Sequence, residues 1–140
     1  PRSWIWLQAH FTDHPQSSIF LSLAEVPVLG ITIKGFIACL LLEGRTHVFA
    51  TYTGASCRAS QDGTVVRLTL RQGGRRLDVA VDRGNARFIR CLAPTAGQMQ
   101  PRDDESLDAR VTATLKERGV TVAALRSERC ALEVSNYFKE

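Results

Sequence analysis

The sequence predicts an all-β fold, an antiparallel up-and-down barrel of about nine or ten strands. Three observations predict it. Short apolar runs of period two recur every ten or so residues, with turn residues between them. The chain opens on Trp4-Ile5-Trp6-Leu7-Gln8, which plants large aromatics on the first strand. Gly73-Gly74 joins two alternating segments as a two-residue hairpin turn.

The elements follow in order. Trp4 to Phe11 alternates, and Ile19 to Val26 is the next run, ended by Pro27 and Gly30. Ile31 to Leu42 alternates in its first half. From Phe36 onward both of its faces are apolar, and a strand apolar on both faces is covered on both sides. One side is then the barrel interior; a second lobe, a helix or another subunit would cover the other. Thr46 to Thr53 follows, and Ala55 to Ser60 ends at the hairpin signal Asp62-Gly63.

Thr64 to Gln72 and Arg75 to Asp82 form the hairpin about Gly73-Gly74. That register sets Leu70 against Leu77, Leu68 against Val79 and Val66 against Val81 on one face. Arg71 then opposes Arg76 and Thr69 opposes Asp78 on the other, with Asp78 and Asp82 diagonal to Arg67. Arg87 to Leu92 reads as a strand, 93–97 as a loop, and Gln98 to Glu105 as the least ordered part. Ser106 to Arg118 fits a helix capped by Gly119 or, through its threonines and valines, a strand. Val120 to Val134 is a last strand region, broken near Ser127.

At 140 residues the chain reads as one domain with a sizeable core, 44% apolar and 23% charged. No run reaches the ~18 apolar residues of a membrane helix. No leader is visible, which favours the cytoplasm, although the chain starts at Pro1 instead of Met. The net charge is +4, and fifteen of the eighteen basic residues are arginine. The balanced charges of the Gly73-Gly74 hairpin describe a solvated sheet face, and no nucleic-acid motif accompanies them, so nucleic acid is not an expected partner. Four cysteines, at 39, 57, 91 and 130, lack metal spacing and read as buried free thiols in a reducing compartment, or as one or two disulfides if the protein is secreted. His10, Asp13, His14 and His47 make no metal site by spacing, because His10 and His14 stand four apart where a strand needs two. Ser17 and Ser18 lack a nucleophile-elbow pattern.

Trp4, Trp6, Gln8 and His10 share one strand face. That stripe is either a lipophile-binding stack with a polar end or a core seam with a polar rim.

Five blocks, taken in order, resemble the C-terminal half of the tocopherol cyclase family. They are Trp4-Ile5-Trp6-Leu7-Gln8, Phe49-Ala50-Thr51-Tyr52-Thr53-Gly54, Leu92-Ala93-Pro94-Thr95, Glu105-Ser106-Leu107 and Cys130-Ala131-Leu132-Glu133-Val134. They span nearly the whole chain. The resemblance implies a lipocalin-like barrel, one lobe of a two-lobe architecture. The missing lobe or a second copy would cover the apolar face of residues 36–42, and peripheral membrane contact would suit a lipophilic substrate. The family's glutamine is usually followed closely by an asparagine; here Ala9 and His10 follow Gln8.

The chemistry the resemblance implies is cofactor-free closure of a chromanol ring, in which a quinol hydroxyl adds across a prenyl double bond. That reaction needs a proton donor, an apolar pocket and aromatic faces beside the cation. Trp4, Trp6, Gln8, Phe36, Phe49 and Tyr52 are the expected ligand-binding residues. Asp13, His10 and Glu25, with Glu133, are the expected proton-transfer candidates. The alternative is a non-catalytic carrier of a long apolar molecule, and a third option is a structural lobe filled by its own side chains.

Overall fold

The computed structural model describes residues 2–84 and 86–138. Among them the chain forms ten strands: β1 (Ser3–His10), β2 (Ser18–Val28), β3 (Ile31–Leu42), β4 (Arg45–Ala50), β5 (Ser56–Asp62), β6 (Val65–Gln72), β7 (Arg75–Asp82), β8 (Ile89–Thr95), β9 (Gln98–Glu117) and β10 (Val120–Ser135). Every pairing is antiparallel, and the sheet order is β4-β3-β2-β1-β10-β9-β7-β6-β5, with β8 also on β9. The all-β, antiparallel expectation holds. The sheet is a curled half-barrel whose order begins at β4 and ends at β5.

The curl comes from β9 and β10. Their register shifts between Ser127 and Cys130 and again between Cys130 and Leu132. Such bulges bend and twist a ladder. Above the bend β10 carries β1 through β4; below it β9 carries β7, β6 and β5. The two halves face each other across one core, built from Ile5 and Leu7 of β1, Leu21 and Leu23 of β2, Leu68 and Leu70 of β6, Leu77 of β7 and Leu115 of β9, all essentially without solvent contact. Alternation along each strand sends these inward and their neighbours outward.

The Gly73-Gly74 hairpin has the register that its turn dictates, from Val65–Asp82 through Leu70–Leu77 to Gln72–Arg75. Its polar face is charge-balanced by other pairs than the diagonal ones: Arg76 grips Asp78 at 2.9 Å, and Thr64 Oγ1 donates to Asp82 at 2.9 Å.

Several boundaries differ from the sequence reading. The strand begun near Thr46 stops at Ala50, because Thr53 Oγ1 accepts the Ala50 N–H at 3.0 Å and donates to its carbonyl at 2.9 Å. That closes Thr51–Thr53 into a 3-10 turn. Pro27 does not end β2; it sits in register with Thr32 beyond the reach of β1, where a missing N–H breaks no ladder. Residues 98–105 are paired strand with 89–95 as their partner, so 93–95 are strand as well, and a tight Ala96-Gly97 turn joins the two. The ambiguous segment from Ser106 is strand as far as Glu117, and Arg118 belongs to the turn with Gly119.

Three contacts draw the far edges of the curl together. Arg75 Nη2 donates to the Val48 carbonyl at 3.1 Å, and its guanidinium stacks 4.6 Å from the Phe49 ring centroid. Gln72 Nε2 donates to the Thr53 carbonyl at 2.7 Å. Lys34 Nζ donates to the Cys57 carbonyl at 3.3 Å and lies over the Tyr137 ring. Tyr137 and Phe138 meet each other edge to face, and both pack against the core.

Candidate functional site

The inward side of β1 is Ile5, Leu7 and Ala9, so Trp4, Trp6, Gln8 and His10 all face outward. The two tryptophans are nonetheless half-buried, because their neighbours on β2 and β10 are large. Trp6 meets Phe20 edge to face with centroids 6.3 Å apart. Trp4 Nε1 donates to Glu133 Oε1 at 2.6 Å, across a register in which Glu133 faces Trp6. Ile37, Cys39 and Leu41 of β3 extend the same outer surface, since Cys39 pairs with Phe20. Residues 36–42 therefore split by parity: Ala38 and Leu40 are core, and the other set is half-exposed.

The polar end of the stripe opens into a groove of about 630 Å³. Gln8, His10 and Asp13 line one wall, and Arg126, Glu128 and Arg129 come from the bulge of β10. Trp4 to His10 spans about 20 Å at ~3.4 Å per residue. An apolar strip thus runs into a charged hollow, the shape and polarity that suit a long molecule with a polar head.

The remaining expected site residues lie elsewhere. Glu25 is at the opposite end of β1, where Ser3 Oγ donates to its carboxylate at 2.7 Å. Phe49 is fully buried under Arg75. Phe36 is half-buried against the core and its N–H bonds Thr51 Oγ1 at 2.9 Å. Tyr52 stands 76% exposed on the 3-10 turn. The structure strings Trp4, Trp6, Gln8, His10, Asp13 and Glu133 along one outer stripe; Glu25 lies at its Trp4 end but on the inward parity with Ser3, and Phe36, Phe49 and Tyr52 lie away from it. Phe20, Arg126 and Arg129 escaped the sequence reading. Phe20 looked like any strand residue, and the arginines reach the groove through a bulge that no local signal announces.

The electrostatics mark structure more than chemistry. The Gly84 amide and the Thr64 hydroxyl hold the Asp82 carboxyl below its usual range. The Arg87 amide and the Ser106 hydroxyl do the same for Asp108. Asp82 thus holds Gly84, and Asp108 holds Arg87. Burial pushes the Cys130 thiol up to about 12 and that of Cys57 up to about 11. The four cysteines are unbridged. Ser17 Oγ accepts the Glu43 N–H at 3.1 Å and serves the turn it sits in. Among the described residues no three His, Cys, Asp or Glu side chains converge on one point. No family model, curated protein or solved structure matches this chain.

Proposed function

We propose that the chain is a lipophile-binding module, similar to the second lobe of a tocopherol cyclase. Its ligand would be a prenylated quinol or a similarly long apolar molecule. The ligand lies along the outer stripe of β1 instead of inside the curl, where the protein's own side chains fill the space. The observation that supports this most is the continuity of Trp4, Trp6 and Phe20 with the groove walled by Gln8, His10 and Arg126. Prenyl carbons pack on the aromatics, and the quinol hydroxyls meet the polar groove. A second lobe or a second copy laid over Ile37, Cys39 and Leu41 would turn the open stripe into an enclosed site.

Ring closure is the second reading, favoured by Glu133 beside two indoles. Glu133 is held by the Trp4 indole through Oε1, between the tryptophans and away from the polar groove where a quinol head would sit. Binding without turnover is therefore the leading form.

Titrating the protein with a prenylquinol and following tryptophan fluorescence tests the reading. Trp6→Ala is expected to weaken binding about tenfold or more, the equivalent of ~1.4 kcal/mol lost from one aromatic contact surface. Equal affinity in wild type and variant would remove the stripe as the site. No binding by the wild type would sink the lipophile reading itself. Appearance of a chromanol, abolished in Glu133→Gln, would replace binding by catalysis.

A further inference from the structure

We infer that the β2–β3 hairpin tip, helped by the β8–β9 tip, inserts into the interfacial region of a lipid bilayer. The inference is independent of where a small ligand binds. β1 ends its pairing with β2 at Ser3–Glu25 and with β10 at Trp4–Ser135. Past that level β2 and β3 continue as a free hairpin through Val26–Ile33, Pro27–Thr32 and Val28–Ile31. The overhang is roughly 10 Å, the depth of an interfacial insertion.

Its chemistry is unusual for a free hairpin. Residues 26–33 carry no charge, and Leu29 at the apex is 100% exposed, with Ile31 at 64%. Val26, Val28, Ile31 and Ile33 share one face by register, and Leu29 stands off its end. Leu29 also holds φ at +50° in front of Gly30, a backbone region where leucine is strained and asparagine is at ease. The positive φ closes the hairpin, as it does at Glu43-Gly44, Ala96-Gly97 and Arg118-Gly119, but the exposure of an apolar apex adds nothing to the fold. A local rule broken without structural gain points to function.

The projecting shape of the tip and its lack of charge select the occupant. A second sheet packs about 10 Å away on a face and leaves a projecting apex uncovered; a fluid apolar medium surrounds an apex on every side. The Glu25 carbonyl points toward β1, where it accepts the Arg2 N–H, so two residues on Pro27 directs its backbone to the same, now unpaired, edge. Proline brings no N–H there, which removes one donor that lipid would leave unsatisfied. Between Val26 and Leu42 the single charge is Lys34. The β8–β9 hairpin leaves the sheet past the same edge, beyond Val134–Asp104, with Leu92 57% and Met99 59% exposed. From Ala86 to Pro101 the charges are Arg87 and Arg90, and both are opposed: Arg87 pairs with Asp108 at 3.3 Å and Arg90 is in register with Asp104. Lys34 is likewise in register with Glu25, so both apolar tips stand over charge-balanced bases, which suits a lipid surface without requiring anionic headgroups.

Sedimentation of the ligand-free protein with phosphatidylcholine vesicles, with and without phosphatidylserine, tests this. Wild type is expected to bind both kinds of vesicle with similar affinity and little dependence on salt, as insertion of uncharged tips requires. Leu29→Asn is expected to reduce partitioning about tenfold or more. Its melting temperature should be equal or higher, because asparagine relieves the strained turn. Wild type that fails to sediment with either vesicle overturns the proposal, as does Leu29→Asn binding as well as wild type. Concentration-dependent dimerisation abolished by Leu29→Asn, without vesicle binding, would assign the tip to a second copy instead.

Discussion

Phe49→Ala is expected to destabilise the protein by about 3–5 kcal/mol, the range for emptying a phenylalanine site in a packed core. Phe49 is on β4, at one end of the sheet order, yet it has no solvent exposure. Its ring is the surface on which the guanidinium of Arg75 lies, 4.6 Å from the centroid. Arg75 in turn reaches the Val48 carbonyl and Gln72 Oε1, and Gln72 reaches Thr53. Removing the ring therefore opens a cavity and also loosens the contact by which β4 meets β6 and β7. A melting temperature lower by roughly 15 °C follows, from a few degrees per kcal/mol. Tyr52→Ala, three residues away and exposed, is expected to change stability by less than about 0.5 kcal/mol. Denaturant unfolding of both variants is the measurement. If Phe49→Ala cost under about 1 kcal/mol, Phe49 would line a space that tolerates truncation, and the interior would again be a candidate ligand cavity.

Alkaline pH is expected to unfold the protein through Cys130. The thiol has no solvent contact, and burial pushes it from 9.0 to about 12. The Gln8 backbone offsets only part of this. Between those values the native state keeps a proton that the unfolded chain has released. Stability is therefore unaffected below about pH 9 and falls by roughly 1.4 kcal/mol per pH unit above it. Cys57 acts in the same direction with a smaller effect, since it is half-exposed and Lys34 partly compensates. Urea midpoints measured from neutral pH to about 11 should fall steeply for wild type and less so for Cys130→Ala. At neutral pH the variant should be the less stable of the two, having lost a buried sulfur. Parallel curves above pH 9 would show that the thiolate is accommodated where it forms.

The β6–β7 hairpin was legible residue by residue, because Gly73-Gly74 fixes the turn and period two fixes the faces. The strand character of residues 106–117 lay within reach of its threonines and valines, although four-residue spacing of Leu107, Val111 and Leu115 competed. The direction of β1 was not legible. Trp4, Trp6, Ile5, Leu7 and Ala9 are all apolar, so parity offers two equivalent faces, and the larger side chains suggest the wrong one for a core. The choice is made by strands far away in sequence: Leu21, Leu23 and Leu132 accept Ile5 and Leu7, while Phe20 and Glu133 receive the indoles. The site was half legible for the same reason. Gln8 and His10 were on the right stripe, but Arg126 and Arg129 join them only through a bulge near Ser127, where the sequence shows no more than a broken pattern.

The sheet order has a consequence in time. β1 pairs with β10, so Trp4 waits for Ser135. During synthesis the strands from β1 to β4 can form a meander early, but one flank of that meander is an open ladder until the last strand emerges. The loop to be closed is nearly the whole chain, which makes sheet completion a slow, late event. Until then the alternating apolar edge of β1 is a template for pairing with other chains. Any truncation before Ser135 shortens the strand that covers this flank, and any delay in releasing β10 lengthens the time the flank stays open. Yield on expression should depend on the last strand more steeply than its share of the core alone would suggest.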